Sequence, residues 1–283
     1  MITSSHNPKI RLIRDLQGRP RKRREVGAFL IEGVRLLEEA LSTNWPIQLA
    51  LYSETLSERG QALVRQLREK GVSVETITPE LLQSISDTEA PQGLLAVVAI
   101  QALPLPPKPN FILILDNLRD PGNIGTILRT AKAAGVQATL LSPGTTDPYA
   151  PKVVRSAMGA HFRLPIYNLT WPEIRTYLGK DKPPTDLPPA KALPERPVLR
   201  TYLADAVGEL IYTRADFRSP LVFIIGGEAE GASPEGRALA DARVTIPMPG
   251  QAESLNAAGA AAILLFEAVR QRREQSVISA IHI

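Results

Sequence analysis

DNLRDPGNIGTILR (residues 116–129) closes an apolar run that begins at Phe111, turns at Pro121-Gly122 and continues into a helix-forming stretch. The same order recurs in IIGGEAEGASP (residues 224–234) and in VTIPMPGQAESLN (residues 244–256). Each passes from a strand-like run through a Gly/Pro-rich turn to a helix start. Strand ends of this kind leave backbone N–H and C=O groups exposed in a crevice. Three of them together imply a small-molecule pocket with polar side chains at its rim. That favours an enzyme over a scaffold.

Working outward, strands are expected at 111–116, 138–141, 199–204, 221–226 and 244–247, and helices at 124–134, 152–158, 172–178, from 234, and 255–273. Asn123 is a candidate N-cap for the first helix and Gly135 its stop, while Ser233 followed by Pro234 is a helix start signal. The last helix opens with Ala257, Ala258, Gly259, Ala260, Ala261 and Ala262. Gly259 costs about 1 kcal/mol relative to alanine there, which argues for a neighbour that needs the space.

Upstream, strands at 28–31, 47–52 and 72–77 alternate with helices at 34–41 and 58–70, and an apolar run covers 94–100, so a smaller α/β module is expected. Residues 101–110 hold four prolines and read as a stiff connector. The organisation expected is a first domain over 1–103, a linker over 104–110 and a second domain over 111–283. Residues 179–197, with six prolines and several charges, read as an exposed insertion in the second domain.

No run approaches the roughly 18 apolar residues of a membrane span. The N-terminus lacks the basic, apolar and small-residue succession of a secretory signal, and the absence of cysteine excludes disulfides and thiolate metal sites. A cytoplasmic location without membrane attachment is expected. His6, His161 and His282 are too scattered for a paired-ligand motif, so no metal is expected, and His161 reads as a packed or surface residue rather than a catalyst. Eight basic residues lie between Lys9 and Arg24 against one acidic residue, Asp15. Such a cluster suits the phosphates of a polyanion, with Arg21, Lys22, Arg23 and Arg24 as its densest part; a solvated helix face is the alternative. Without interleaved aromatics, backbone contact is expected rather than base stacking. Lys152 and Arg155 are further phosphate candidates or exposed charges.

Residues 224–233 nearly spell a phosphate-binding P-loop, but Ala232 stands where its lysine belongs, so triphosphate hydrolysis is disfavoured. Gly122-Asn123-Ile124-Gly125 lacks the three-glycine dinucleotide fingerprint, which disfavours a nicotinamide enzyme.

Asn123, Gly125 and Arg129, then Gly226-Gly227-Glu228 with Gly231, then Ile246-Pro247-Met248 with Ser254-Leu255-Asn256 resemble, in order and spacing, the three motifs of the SpoU/TrmH family of SPOUT RNA methyltransferases. The likeness runs over 111–273. Phe29-Leu30-Ile31-Glu32-Gly33 is similar to that family's ribosomal-protein-like substrate-binding module. The resemblance implies an α/β fold with a C-terminal trefoil-knotted domain and a smaller N-terminal α/β domain. It also implies a homodimer that uses S-adenosylmethionine to methylate a ribose 2′-hydroxyl in RNA.

By position, Gly226, Gly231, Ile246 and Leu255 would contact the cofactor, and Asn123, Arg129, Glu228, Ser254 and Asn256 would form the catalytic surround. Ribosomal RNA is favoured because a separate N-terminal module is present. A transfer RNA 2′-O-methyltransferase, or a non-catalytic assembly factor on the same fold, are the alternatives. Glu228 also suits a hydrogen-bond acceptor for its own turn, and Ser254 the N-cap of the last helix. A guanidinium stays protonated, so Arg129 is expected to clamp phosphate and stabilise charge, with the general base unassigned.

Overall fold

The computed structural model describes residues 1–180, 197–228, 230–250 and 252–281, with side chains through residue 274. From 181 to 196 the expected Pro-rich insertion lies outside the described residues. The chain forms two compact units, Met1–Gln101 with Asp147–Arg163 and Ala102–Thr146 with Leu164–Ile283.

The basic cluster at the start of the first unit folds as two helices, α1 (Pro8–Gly18) and α2 (Pro20–Val26). The Asn7 side chain accepts from the Lys9 N–H at 2.9 Å, and Pro8 and Pro20 preset φ for the first turns. Ile10, Ile13 and Leu16 bury one stripe of α1. Then follow β1 (Ala28–Glu32), α3 (Val34–Ser42), β2 (Ile47–Tyr52), α4 (Glu58–Glu69), β3 (Ser73–Thr76), α5 (Pro79–Ile85) and β4 (Leu94–Ala99). The sheet order is β1-β4-β2-β3, with β4 antiparallel to both neighbours and β3 parallel to β2. Leu30, Leu49, Leu51, Leu95 and Val97 on one face pack with Ile10, Ile13 and Leu16 of α1 and Leu81, Leu82 and Ile85 of α5.

The second unit runs β5 (Phe111–Asp116), α6 (Pro121–Ala134) and β6 (Ala138–Leu141). After α7 (Pro151–Ala157), which belongs to the first unit, come β7 (Ile166–Asn168), α8 (Trp171–Tyr177), β8 (Arg200–Ala204), β9 (Leu210–Ile211), β10 (Leu221–Gly226), α9 (Pro234–Leu239), β11 (Ala242–Thr245) and α10 (Ala257–Ile281). All strand pairs of the sheet β7-β6-β5-β10-β8-β11-β9 are parallel. Its central strands are apolar on both faces because both are covered. Ile112, Ile114, Val222 and Ile224 pack with Ile174 of α8 and Leu239 of α9. Phe223 meets Phe111 and Phe217 edge-on, with centroids 6.2 and 4.9 Å away, and Arg272 of α10 lies over the Phe111 ring at 4.4 Å. The expected connector is irregular, and Tyr167 and Tyr177 donate to its Leu103 and Pro106 carbonyls at 2.7 and 3.3 Å.

Several boundaries differ from expectation for local reasons. The first-motif helix begins at Pro121 with Asp120 as N-cap, its Oδ1 accepting from the Asn123 N–H at 2.7 Å, so Asn123 lies inside the helix. Strand β11 ends at Thr245, which leaves Ile246 and Pro247 in the following loop. Helix α10 starts at Ala257, and Asn256 rather than Ser254 caps it, accepting from the Ala258 and Gly259 N–H groups at 2.9 and 3.3 Å. A Cβ placed on Gly259 would meet nothing within 4 Å, so no neighbour among the described residues requires a glycine there. Among the described residues no helix is long and apolar enough to cross a membrane, and no cluster of three His, Cys, Asp or Glu is placed to hold a metal.

Asp147–Arg163 completes the first unit by lining Phe29 with Tyr149 and His161, at ring separations of 5.0 and 5.9 Å. His161 is buried; its Nε2–H donates to the Pro148 carbonyl at 2.7 Å, whereas Nδ1 has no partner among the described residues. Burial without a second partner lowers its pKa from 6.5 to about 4. An unfolded chain therefore binds this proton more readily than the folded one between those values, and stability rises with pH across that window. Lowering the pH from 6.5 to about 4 is expected to remove up to roughly 3 kcal/mol of unfolding free energy through this group. Urea titrations at both ends of the window should show His161→Phe without that share; an unchanged pH slope would contradict the assignment.

Candidate active site

The carboxyl ends of β5, β8, β10 and β11 and their loops build one polar site in the second unit. At its base Asp116, fully buried, terminates β5. Its Oδ1 accepts from Ser142 Oγ at 2.8 Å, and its Oδ2 accepts from the Ser233 N–H at 2.7 Å and from Ser233 Oγ at 2.9 Å. Ser233 in turn accepts from the Gly236 N–H at 3.1 Å and caps α9 as its sequence suggests. A Cβ on Gly236 would lie 2.4 Å from Asp116 Oδ2, so the glycine makes room for the carboxylate.

Between β10 and Ser233 the second motif folds into a closed turn. Gly227 and Gly231 exchange backbone hydrogen bonds of 3.0 and 3.1 Å, and Gly231 adopts φ +67°, in the left-handed region that favours glycine. A Cβ on Gly226 would sit 2.4 Å from the Ala232 nitrogen, and one on Gly227 2.5 Å from the Asn117 carbonyl oxygen. A side chain at Gly226 would force the second-motif turn open, and one at Gly227 would push the first and second motifs apart.

Three side chains then join the three motifs. Asn123 Nδ2 donates to Glu228 Oε1 at 2.8 Å, and Asn123 Oδ1 accepts from Asn256 Nδ2 at 2.9 Å. Because the Asn256 side-chain oxygen also caps α10, the chain of contacts runs from the second motif through the first to the start of the last helix. The remaining two catalytic candidates, Arg129 and Ser254, are exposed and make no hydrogen bond or ion pair among the described residues. Arg129 lies six residues beyond Asn123 on α6, about 240° around the helix, and so points from a different face.

Beside this network lies a cavity of about 470 Å³. Gly226, Gly231, Ile246 and Leu255, the four cofactor candidates, all line it, as do Glu228 and Ser254. Leu203, Ile225, Val244 and Leu264 add apolar wall, and Asp205, Glu230, Arg237 and Glu253 add charge. The volume and the mixed lining suit a nucleoside-sized ligand.

The basic cluster is less open than its composition suggests. Arg23 is only 2% exposed; its guanidinium donates to Asp147 Oδ2 from Nη2 at 2.6 Å and from Nε at 2.8 Å, and to the Leu16 carbonyl from Nη1 at 2.5 Å. Its assignment to RNA is thereby corrected: the charge is buried and already paired, inside the first unit. Arg21 and Lys22 flank Glu25 at 2.9 and 3.7 Å, Arg19 pairs with Asp15 at 3.0 Å, and Lys9 pairs with Glu75. Arg11, Arg14 and Arg24 are exposed and make no ion pair among the described residues. Arg155 pairs with Asp87 at 2.6 Å, and Lys152 is exposed.

Asp116, Asp205 and Arg237 are site residues to which the three motifs assign no role. For Asp116 a signal existed, since a carboxylate that ends a fully apolar strand must find donors. Asp205 and Arg237 meet across a sequence separation of 32, which no local pattern announces.

Residues 110–266 match the model of the SpoU rRNA Methylase family, and residues 7–96 match an MRM3-like substrate binding domain. The chain is 34% identical to the 23S rRNA (uridine(2479)-2′-O)-methyltransferase of Streptomyces viridochromogenes, over 95% of this chain and 92% of that protein. It is 29% identical to the 23S rRNA (guanosine(2553)-2′-O)-methyltransferase RlmP of Bacillus subtilis, over 94% and 97% of the two chains. Among solved structures, the SpoU methyltransferase AviRb from Streptomyces viridochromogenes in complex with AdoMet superimposes with a TM-score of 0.84 at 33% identity, covering 94% of this chain and 98% of that one. An AdoMet-bound rRNA methyltransferase from Sinorhizobium meliloti gives a TM-score of 0.80 at 29% identity, covering 95% and 97%.

Replacing Asp116 by alanine would remove the main acceptor of the buried Ser142 hydroxyl and the acceptor of both part-buried Ser233 donors. Urea unfolding of Asp116→Ala is expected to show a loss of about 2–4 kcal/mol. A change below about 0.5 kcal/mol would mean that the second-motif turn does not depend on this carboxylate.

Proposed function

Because the chain belongs to the SpoU rRNA methylase family, we propose that it transfers the methyl group of S-adenosylmethionine to a ribose 2′-hydroxyl of ribosomal RNA. The observation that carries this reading is the Asn123–Glu228–Asn256 chain beside a nucleoside-sized cavity, which joins the three motif loops through their own side chains. S-adenosylmethionine supplies an activated methyl group on a cationic sulfonium, so neither a metal nor a thiol is required.

The protein's share is alignment and proton handling. Apolar contacts from Ile246 and Leu255 and the backbone of the Gly226 to Gly231 turn hold the donor, and the carboxylates at the rim complement its positive charge. Arg129 and Ser254, which have no partner of their own among the described residues, bind the RNA: Arg129 clamps a phosphate, and Ser254 hydrogen-bonds near the ribose. Glu228 accepts from Asn123 at Oε1, and its other oxygen, without a partner among the described residues, accepts from the ribose hydroxyl or from Arg129.

The first unit is the RNA-binding domain in this reading, with Arg11, Arg14 and Arg24 as its uncommitted phosphate contacts, Arg21 and Lys22 as weaker ones, and Lys152 and Arg155 as secondary ones. The reaction is cytoplasmic. A trefoil knot follows the family resemblance, and the insertion of β10 between β5 and β8 supports it. A homodimer is supported by one face of α10, where Phe266 is 48% exposed and Gly259 opens onto empty space.

Purified protein, methyl-labelled donor and ribosomal RNA are expected to place label on ribose; label on a base would overturn the reaction. Arg129→Ala is expected to lower turnover by roughly 10² to 10⁴ while leaving RNA affinity within about tenfold. An unchanged rate would remove Arg129 from the site. Sedimentation at micromolar concentration is expected to give a dimer, and a monomer would contradict the α10 interface.

A further inference from the structure

Arg237 is the one cation among the described residues that line the cavity, where the other charged groups are Asp205, Glu228, Glu230 and Glu253. It extends from α9, and its side chain is 47% exposed. Nε donates to the Ala232 carbonyl at 3.2 Å, and Nη1 donates to Asp205 Oδ2 at 3.1 Å. A guanidinium carries five N–H groups in a fixed fork, so the fork keeps donors to spare. Nη2 is one nitrogen without a partner among the described residues, and it lies only 3.1 Å from where a Cβ on Gly231 would stand. The glycine of the second motif thus leaves the guanidinium room at the cavity wall.

Asp205 fixes the fork. It follows β8, its side chain is 12% exposed, and its Oδ1 accepts from the Val207 N–H at 3.1 Å. Arg243 approaches the same Oδ2 at 3.8 Å. A nearly buried carboxylate held in this way constrains the Arg237 head more than an exposed partner would.

Resting on the reading of S-adenosylmethionine as the donor, we propose that Arg237 binds the α-carboxylate of its amino-acid arm, with Asp205 as the positioning residue. The donor carries two positive centres, the sulfonium and the ammonium, and one anionic group. The carboxylates around the cavity attract the first two, and Arg237, the one cation among the described residues that line it, attracts the third. A planar guanidinium matches a carboxylate with two parallel hydrogen bonds. The amino-acid arm is therefore directed to the wall formed by α9 and the loop after β8.

The test is calorimetric binding of S-adenosylmethionine and of its decarboxylated form to the full chain, in the absence of RNA. The unaltered protein is expected to bind the carboxylated form about tenfold more tightly. Arg237→Gln should abolish that preference without weakening the decarboxylated ligand, and this retained binding also reports that the variant is folded. Arg237→Lys, which keeps the charge but loses the fork, should keep part of the preference. The proposal is overturned if the unaltered protein binds both ligands equally or prefers the decarboxylated one. It is overturned as well if Arg237→Gln retains the preference, or if it weakens both ligands alike, which would reduce Arg237 to a support for the Ala232 loop. Failure of the unaltered protein to bind either ligand would instead sink the donor assignment itself.

Discussion

The Asp116 carboxylate is the constraint from which the site follows. Moving a carboxylate out of water costs several kcal/mol unless donors replace the lost hydration, and here Ser142 and Ser233 supply three. That compensation draws Ser233 onto the end of β5, which shortens the path from Gly226 to Ser233 into a tight turn. Gly226, Gly227, Gly231 and Gly236 are the residues without side chains that let the turn close against the Ala232 nitrogen, the Asn117 carbonyl and the carboxylate itself. The partial positive charge at the start of α9 also favours an acidic group there. The cavity is what remains between this turn and the loops after β8 and β11.

Asn123 then sets the spacing between loops. An amide offers a donor and an acceptor on opposite branches, and only one orientation suits this position: Nδ2 toward the Glu228 carboxylate and Oδ1 toward the Asn256 amide. A reversed amide would set oxygen against carboxylate and nitrogen against nitrogen. Since the Asn256 oxygen caps α10, a shift of that helix along its axis would break the same chain of contacts. The register of the longest helix and the position of the second-motif carboxylate are thus coupled through one side chain.

Much of this was legible in the amino-acid order, and the exceptions share a cause. Strands 111–116, 138–141 and 221–226 stand as expected because a strand covered on both faces must be apolar throughout and must stop at polar or small residues. Ser233-Pro234 likewise acts locally and starts α9 where it should. The misplacements involve choices between nearby residues of similar ability. Asp120 wins the cap of α6 over Asn123, and Asn256 wins that of α10 over Ser254, because the chain beyond each cap is drawn into the polar network. Arg23 departs from expectation for a different reason: its partner Asp147 is 124 residues away, and a count of local charge cannot register an ion pair made by the fold. Gly259 calls for a close neighbour, and among the described residues none stands within 4 Å of a Cβ placed there.

The polar groups of the site fall into two classes, and the division bears on how the proposed reaction proceeds. Asn123, Asn256, Asp116 and Ser233 spend their hydrogen bonds on one another or on helix ends, so the loops are held before any ligand arrives. Arg129 and Ser254 spend none among the described residues. A group already bonded within the protein would have to break that bond to meet a substrate, whereas an uncommitted one can add its interaction without such a loss. Alignment of a hydroxyl with an activated methyl group calls for little covalent chemistry and much fixed geometry. A site in which the framework is satisfied internally and the substrate-facing groups are left open meets that demand, and it concentrates RNA-dependent ordering on the arginine and the serine rather than on the loops that carry them.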